Sequence, residues 1–377
     1  MVSRPGRDRL CAFVDGPLRL YLFDLSHLSI HPMSYLLYGA YGYTGRLIAQ
    51  RAVEDGHRPV LSGRDAAALR SMGAALGLSA EPVSLSDSAR LRTVLEEVDA
   101  VLHCAGPFAD TAAPMVAACL DTGTHYLDIT GELEVFRALA RHDREARAAG
   151  VVVLPGVGFD VVPTDCVAAA LHERLPSATT LELAFMSTGG WSAGTLKTAV
   201  GQVGQGGLVR REGRLVSVPP GWATRTVDFG DHPRSVVSIP WGDLVTAAHS
   251  TGIPNITTYT YLPRVGRRLL RASRHVQPLL RWAPVQALLR RMVSWLDPGP
   301  SPEARRQGRS VVWGSVRSPD GRRQSIRLHG PEAYTLTARA AVAAAERVVD
   351  GAPTPGYQTP ATAFGPSFVL GIDGVTQ

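Results

Sequence analysis

Several residue types are scarce in this sequence, and their scarcity narrows its chemistry. The 377 residues include 4 cysteines, with no Cys-x-x-Cys pair and no histidine at zinc-like spacing, which argues against a disulfide framework or a structural metal. No apolar run reaches the roughly 18 residues of a membrane-spanning helix. There is no Ser-His-Asp order and no paired-histidine motif of the kind that hydrolases use. We therefore expect a soluble cytoplasmic protein with reduced thiols.

Lysine is almost missing, since Lys197 is the only one, and the net charge of +6 therefore comes from arginine. The basic residues do not form a recognisable nucleic-acid module, so no nucleic-acid partner is expected. Arginines concentrate in residues 262–296, among apolar residues at helical spacing that Pro278 and Pro284 interrupt. Such a segment is typical of helices packed on a core with arginines outward, and also of helices that contact a membrane or an acidic acyl-carrier partner. Both interpretations of the segment stay open. The sequence also leaves open whether the protein forms a homodimer.

A glycine-rich turn follows the first short apolar run, residues 35–38, and precedes a helical pattern over residues 46–54. Gly39 suits a tight turn, Gly42 lets the backbone approach phosphates, and Gly45 allows close helix packing. A structural glycine turn is the alternative. We favour nucleotide binding by the residues of this turn, namely Gly39, Tyr41, Gly42, Tyr43, Thr44 and Gly45.

The end of the next predicted strand lacks the Asp or Glu that NAD sites place near the ribose hydroxyls. Ser62, Gly63 and Arg64 stand there instead, and a hydroxyl with a guanidinium suits the 2′-phosphate of NADP. Asp65 precedes a helical run and is predicted to cap it. The expected cofactor is therefore NADP, bound as NADPH.

Short apolar runs alternate with helical patterns from Met33 to about residue 155, which predicts an α/β fold with a Rossmann-type doubly wound parallel sheet. The predicted strands are 35–38, 59–62, 80–83, 100–104, 125–129 and 151–154. Irregularly spaced strands then predict a second α+β domain, with strands at 179–186, 235–239, 257–262 and 310–316 and a final helix over 332–349. We divide the chain into an extension of doubtful status (1–32), a cofactor domain (33–160), a substrate domain (161–330) and a C-terminal helix and tail that return to the cofactor domain (331–377).

Ligands of such sheets bind beyond the carboxyl ends of the strands, so residues after each strand are site candidates. Asp87 follows the third strand and is expected either to contact the adenine or to cap a helix. The fourth strand is followed by a segment that fits a nicotinamide pocket or a simple turn. Its residues are Ala105, Gly106, Pro107 and Phe108.

The fifth strand and the turn after it carry the candidate catalytic groups Tyr126 and Glu132, to which we add Lys197. A phenol, a carboxyl or an ammonium can each deliver a proton, but Glu132 also fits the first turn of a helix and Lys197 a solvated surface. Asp128, Thr130, Phe159 and Asp160 are expected in the substrate pocket, because the turn around Asp160 joins the two predicted domains.

Five segments together resemble the saccharopine dehydrogenase-like oxidoreductases, and among these the bacterial trans-acting enoyl reductases. They are Tyr38-Gly-Ala-Tyr-Gly-Tyr-Thr-Gly-Arg-Leu, Ser62-Gly-Arg, Ala105-Gly-Pro-Phe, Tyr126-Leu-Asp-Ile-Thr-Gly-Glu and Pro155-Gly-Val-Gly-Phe-Asp-Val-Val-Pro-Thr-Asp. The resemblance extends from Met33 almost to the C-terminus. It implies an NADP-binding Rossmann domain and a second domain that covers the substrate.

The resemblance implies reduction of an activated C=C bond in an acyl or polyketide-like substrate, as part of lipid or polyketide metabolism. A saccharopine-type reaction at a C–N bond is the alternative within the family. A nucleotide-binding, membrane-associated protein without turnover is the alternative outside it.

Overall fold

The computed structural model describes residues 34–190, 192, 194–196, 206–293, 299–351 and 353–377. Lys197 and the N-terminal extension lie outside these residues.

The first sheet has seven parallel strands in the order β15-β6-β5-β4-β1-β2-β3. Its strands are β1 (Tyr35–Tyr38), β2 (Val60–Gly63), β3 (Ala80–Pro82), β4 (Ala100–His103), β5 (His125–Asp128), β6 (Val152–Leu154) and β15 (Gly356–Tyr357). The connecting helices are α1 (Tyr43–Glu54), α2 (Ala66–Leu76), α3 (Ser88–Leu95), α4 (Phe108–Thr122), α5 (Leu133–Leu139) and α6 (Asp143–Ala149). Strands buried on both faces explain the short continuous apolar runs. The predicted doubly wound sheet is confirmed.

The second sheet is mixed, with the path β10-β11-β12-β7-β13-β14 and with β8 joined to β12 and β9. Its strands are β7 (Thr180–Ser187), β8 (Gly207–Arg211), β9 (Arg214–Val218), β10 (Thr224–Asp228), β11 (Pro233–Ser238), β12 (Asn255–Tyr261), β13 (Arg309–Arg317) and β14 (Arg323–Pro331). The sequence analysis missed β8, β9, β10 and β14. Strand β14 was missed because arginines and a histidine alternate with the buried Ile326 and Leu328, so the sequence shows no continuous apolar run there.

Two long helices connect the sheets. Helix α7 (Val162–Arg174) covers one face of the second sheet, where a Cβ on Gly314 of β13 would lie 2.4 Å from Val167. The C-terminal helix, Ala333–Val349, packs on α1 and β4, and its run of alanines allows this close approach. One hydrophobic cluster accordingly contains Leu37 of β1 and Leu181 of β7.

The arginine-rich segment forms short helices whose breaks follow its prolines. After α8 (Thr246–Thr251) come α9 (Arg264–Ala272), a 3-10 turn, α10 (Gln277–Arg281) and α11 (Ala283–Val293). Pro278 and Pro284 each occupy the second position of a helix, where their missing N–H leaves no hydrogen bond unmade. Helix α9 has no fully buried residue, but Arg267 donates to the carbonyls of Ser235 in β11 and of Leu262, so both interpretations of this segment stay predictions. The remaining helices are α12 (Pro302–Gln307), α13 (Ala333–Val349) and α14 (Pro360–Phe364).

Candidate functional site

The glycine turn lies where the strand order of the first sheet reverses, between β1 and β4. Neighbouring connections leave in opposite directions at this point, and the resulting crevice is where doubly wound sheets bind ligands. Gly39 has φ +82°, and a Cβ there would lie 2.8 Å from the backbone nitrogen of Ala105 after β4. Glycine is therefore required at this position by both conformation and space.

The N-terminus of α1 is open to a ligand. Its cap residue Gly42 provides no side-chain hydrogen bond to the first backbone N–H groups, and a Cβ at Gly42 would meet only the Gly39 carbonyl oxygen, at 3.2 Å. Gly45 is instead held tightly, since a Cβ there would lie 2.5 Å from the same oxygen. A twelve-residue helix that presents unsatisfied N–H groups at a glycine turn fits a pyrophosphate.

The end of β2 presents Arg64 to solvent, and no hydrogen bond or ion pair is recorded for its guanidinium among the described residues. Asp65 beside it caps α2 by accepting from Ala67 N and Ala68 N at 3.1 and 3.0 Å, as predicted. Ser62 requires a correction, because its hydroxyl is fully buried and donates to the Glu81 carbonyl at 2.7 Å. Gly63 leaves room for the Tyr41 ring, which would lie 2.7 Å from a Cβ at that position. Of the three residues predicted to bind the 2′-phosphate of NADP, Arg64 is the one whose functional group is exposed.

Asp87 caps α3 by accepting from Arg90 N at 3.1 Å, which is the helix-cap alternative of its prediction. The segment after β4 turns through a cis Gly106-Pro107 bond into α4, and Phe108 is largely buried. Ala105 and Gly106 are partly or fully exposed beside the glycine turn, so this segment forms a wall of the crevice.

The groups predicted to be catalytic at the end of β5 are engaged inside the protein. Tyr126 has no exposed surface, and its hydroxyl donates to the Asp128 carboxylate at 2.7 Å. Asp128 also accepts from Thr130 N and Gly156 N, each at 2.9 Å. The Glu132 carboxylate accepts from Phe108 N at 3.0 Å and from Ala109 N at 2.9 Å, and so caps α4. Tyr126 and Glu132 therefore fix the ends of β5 and α4, and the structure does not support a proton-donor role for them.

Burial also decides the roles of Asp128 and Thr130, which were expected in the pocket. Both side chains are completely buried, and Thr130 accepts from Glu132 N at 3.0 Å. Burial raises the pKa of Asp128 to about 6, against the opposing effect of its hydrogen-bond donors. These residues support the crevice from beneath and do not line it.

Asp160 is the carboxyl that remains available. It is partly exposed, and its Oδ2 atom would lie 2.6 Å from a Cβ at Gly131, so the absence of a side chain at Gly131 makes room for it. Trp241 fixes the backbone by donating from its indole nitrogen to the Asp160 carbonyl at 2.7 Å. Burial raises the pKa of Asp160 to about 7. No hydrogen bond to its carboxyl is recorded among the described residues, so this group is able to hold and release a proton near neutral pH.

A cluster of aromatic rings packs beside the Asp160 backbone. Phe159 lies edge-on to Phe185 with ring centroids 6.0 Å apart, and Phe185 packs on Trp241 at 4.8 Å. Phe159 is largely buried, which makes it a supporting wall as much as a contact surface.

Tyr334 lies against the glycine turn, and the sequence pattern did not predict it as a site residue. Its ring lies edge-on to Tyr43 at 5.1 Å, while its hydroxyl accepts from Ser192 N at 2.6 Å. Burial raises the pKa of Tyr334, with a smaller contribution in the same direction from the Asp160 charge. The signal in the sequence was the Gly330-Pro-Glu-Ala-Tyr334 segment, where Glu332 caps α13 and thereby orients the tyrosine.

The geometry agrees with a comparison against protein families, in which the model described as "Saccharopine dehydrogenase NADP binding domain" matches residues 35–154. Over residues 35–154 the chain is therefore similar to this NADP-binding domain. The cofactor of the domain is thus NADP, and the open α1 terminus and the exposed Arg64 fit its pyrophosphate and its 2′-phosphate. Among the described residues, no group of three or more His, Cys, Asp or Glu side chains is arranged to hold a metal ion.

Curated relatives of the NADP-binding domain carry one recurring name. A trans-acting enoyl reductase of Mycobacterium leprae is 36% identical over 156 residues, which are 39% of this chain and 37% of that protein. A putative trans-acting enoyl reductase of Mycobacterium tuberculosis is 31% identical over 175 residues, 43% of this chain and 42% of that protein. The match thus spans less than half the length of these relatives.

The solved structure of apo saccharopine dehydrogenase (L-Glu forming) from Saccharomyces cerevisiae shares the fold outside the NADP-binding domain as well. It aligns with a TM-score of 0.60 over 90% of this chain and 96% of that chain, at 12% identity. This likeness concerns the two-sheet architecture alone.

Proposed function

We propose that this protein is an NADPH-dependent reductase that saturates an activated C=C bond in an acyl or polyketide-like substrate. The observation that carries the proposal is the partly exposed Asp160 carboxyl, whose backbone carbonyl accepts from Trp241 and whose pKa burial raises to about 7. The name shared by the curated relatives supports the same reaction class.

Reduction of a C=C bond adds a hydride and a proton to its two carbons. Bound NADPH supplies the hydride. Asp160 supplies the proton, because burial raises the pKa of its carboxyl to about 7 and keeps a substantial protonated fraction at neutral pH. Its partial exposure lets the resulting carboxylate recover a proton from water. The Tyr334 hydroxyl positions the substrate carbonyl or assists the proton transfer.

The surroundings of Asp160 favour C=C over C–N chemistry. An amino-acid substrate with two or more carboxylates requires several arginines converging on the cleft. The arginine recorded beside Tyr43 is Arg305, which donates to the Tyr43 hydroxyl at 3.0 Å. Phe159, Phe185 and Trp241 provide an apolar wall suited to an acyl chain.

The proposed activity is tested by following NADPH oxidation with an α,β-unsaturated acyl thioester, with a cyclic imine and without substrate. We expect oxidation with the enoyl thioester, increasing with acyl length, because a longer chain buries more apolar surface. Oxidation with the imine alone would establish the C–N reaction. NADPH binding without turnover of either substrate would instead favour the binding-protein alternative.

The helices over residues 264–293 are proposed to hold the protein at an anionic membrane surface. This stretch has eight arginines and no acidic residue. Seven large apolar side chains on it are highly exposed, including Leu269 at 67% and Trp282 at 59%. An acidic carrier protein would pair with the arginines but leave this many apolar side chains without a partner, whereas a lipid interface accepts both. No helix among the described ranges is long and apolar enough to cross a bilayer, so the contact would be peripheral.

A vesicle sedimentation assay tests the membrane contact with the double variant Leu269→Gln/Trp282→Gln. We expect the fraction bound to vesicles with about one-third anionic lipid to fall roughly fivefold, because two inserted apolar side chains are lost. Leu370→Gln is the matched control, since Leu370 is also exposed, at 45%, but lies outside the segment. Equal binding of all three proteins would contradict the proposal, and binding to an acidic carrier protein instead would assign the surface to that partner.

A further inference from the structure

A second polar cavity, of about 520 Å³, opens on the second sheet. Strand alternation places it away from the glycine turn: Leu181 and Leu183 of β7 point into the core shared with the first sheet, whereas Glu182 between them lines the cavity. The cavity is therefore separate from the candidate active site, and inferences about it do not depend on the proposed reaction.

Four arginines and one carboxylate line this cavity. They are Arg211 of β8, Arg225 of β10, Arg317 of β13, Arg323 of β14 and Glu182 of β7. Glu182 forms an ion pair with Arg225. No ion pair is recorded for Arg211, Arg317 or Arg323 within the described residues, so the cavity carries an excess of three positive charges.

The strand register places two of these arginines against each other. Arg317 and Arg323 are directly opposite across the β13–β14 hairpin, and like charges in such a pair are destabilising. Their charges also contribute, after burial, to lowering the pKa of Arg225. The free protein thus bears a local repulsion that an anion would relieve.

Neighbouring groups hold two of the four arginines in place. The Arg225 guanidinium lies over the Trp313 ring at 5.1 Å, and Arg211 lies over Trp222 at 5.4 Å while donating to Thr257 Oγ1 at 3.4 Å. A guanidinium held in this way is ready for bidentate contact with a phosphate. The volume is in the range of small-molecule sites.

We propose that this cavity is a second ligand site, which binds a small molecule carrying a diphosphate group. A diphosphate matches the three uncompensated charges, and a single carboxylate would leave most of the repulsion in place. The shared chemistry is the diphosphate, supplied either as free pyrophosphate or as part of a nucleoside diphosphate.

Calorimetric titration of the full chain tests this site after one equivalent of NADPH per chain has filled the cofactor site. Inorganic pyrophosphate, ADP and adenosine are titrated separately at about 0.1 M salt. We expect one pyrophosphate per chain and at least fivefold weaker binding in Arg317→Gln/Arg323→Gln, both of which change exposed side chains. Tighter binding of ADP than of pyrophosphate, with no binding of adenosine, would identify a nucleoside diphosphate as the source.

The matched control is Arg70→Gln/Arg144→Gln, which removes the same charge from exposed positions near the first sheet. Equal weakening in both double variants would overturn the proposal, because it would reflect net charge alone. Absence of pyrophosphate binding to the unmodified protein at millimolar concentration would also overturn it. A change from dimer to monomer in the cavity variant without pyrophosphate binding, measured by sedimentation, would assign this face to a second copy of the chain.

Discussion

Asp160→Asn is expected to lower kcat for enoyl reduction by roughly a hundredfold or more, the usual scale for loss of a general acid. The amide keeps the size of the side chain but has no acidic proton, so NADPH affinity should stay within about twofold. Single-turnover kinetics with saturating NADPH would separate the two effects. Unchanged turnover would transfer the proton-donor role to another group, with Tyr334→Phe as the next variant.

The pH dependence gives a second readout for Asp160. The proton donor must be neutral, and its pKa is raised to about 7, so kcat should be level below that pH and fall about tenfold per unit above it. The inflection should be missing from the residual activity of Asp160→Asn. A purely structural role of Asp160 would lower activity without removing the inflection.

The raised pKa of Asp160 also predicts that the Asp160→Asn variant is more stable than the unmodified protein above neutral pH. The unfolded chain ionises Asp160 near pH 4 and the folded chain near 7, so its favourable contribution is complete below pH 4 and lost as the pH rises through 7. Asp160→Asn should therefore unfold at a higher temperature than the unmodified protein at pH 8 and at a similar temperature at pH 4. Because the side chain is partly exposed, we expect about 1–2 kcal/mol.

Asp243→Asn is the matched control for these measurements. Asp243 is completely buried, and burial raises the pKa of its carboxyl well above the usual range, with smaller contributions from the Asp165 and Asp160 charges. Its amide variant should show the same gain in stability at pH 8 without loss of turnover. Loss of turnover in both variants would point to a general packing effect.

Arg64→Ala is expected to weaken NADPH binding ten- to a hundredfold, about 1.4–2.7 kcal/mol, while NADH binding changes little. The reason is that Arg64 is exposed at the end of β2, where the 2′-phosphate is recognised in this fold. Fluorescence titration with both nucleotides measures the two affinities.

Arg70→Ala controls for the loss of one charge, since Arg70 is exposed on α2, the helix that follows Arg64. Its NADPH affinity should stay within about twofold of the unmodified protein. A similar fall for NADPH and NADH in Arg64→Ala would mean that the arginine supports the loop and does not select the phosphate. No binding of either nucleotide to the unmodified protein would contradict the cofactor assignment itself.

Local sequence determined the cofactor and six of the seven strands of the first sheet, whereas β15, Gly356–Tyr357, joins β6 from far along the chain and was not predicted. Strands buried on both faces read as short apolar runs, and the glycine spacing and the missing acid after β2 are set by residues within about 30 positions of each other. The prolines of residues 264–293 likewise marked where helices begin. These features depend on backbone conformation and short-range contacts, which the order of residues encodes directly.

Tertiary structure alone decided which polar groups are available. Tyr126, Asp128, Glu132 and Asp160 looked alike in the sequence, but the first three are satisfied by one another or by backbone groups brought from other strands and helices, as Glu132 is by Phe108 N. The arginines of the second cavity converge from four strands, three of which the sequence did not predict, so their repulsion is invisible until the register is known. Burial and charge proximity depend on the distances between groups that are far apart in the chain, and only the folded structure fixes those distances.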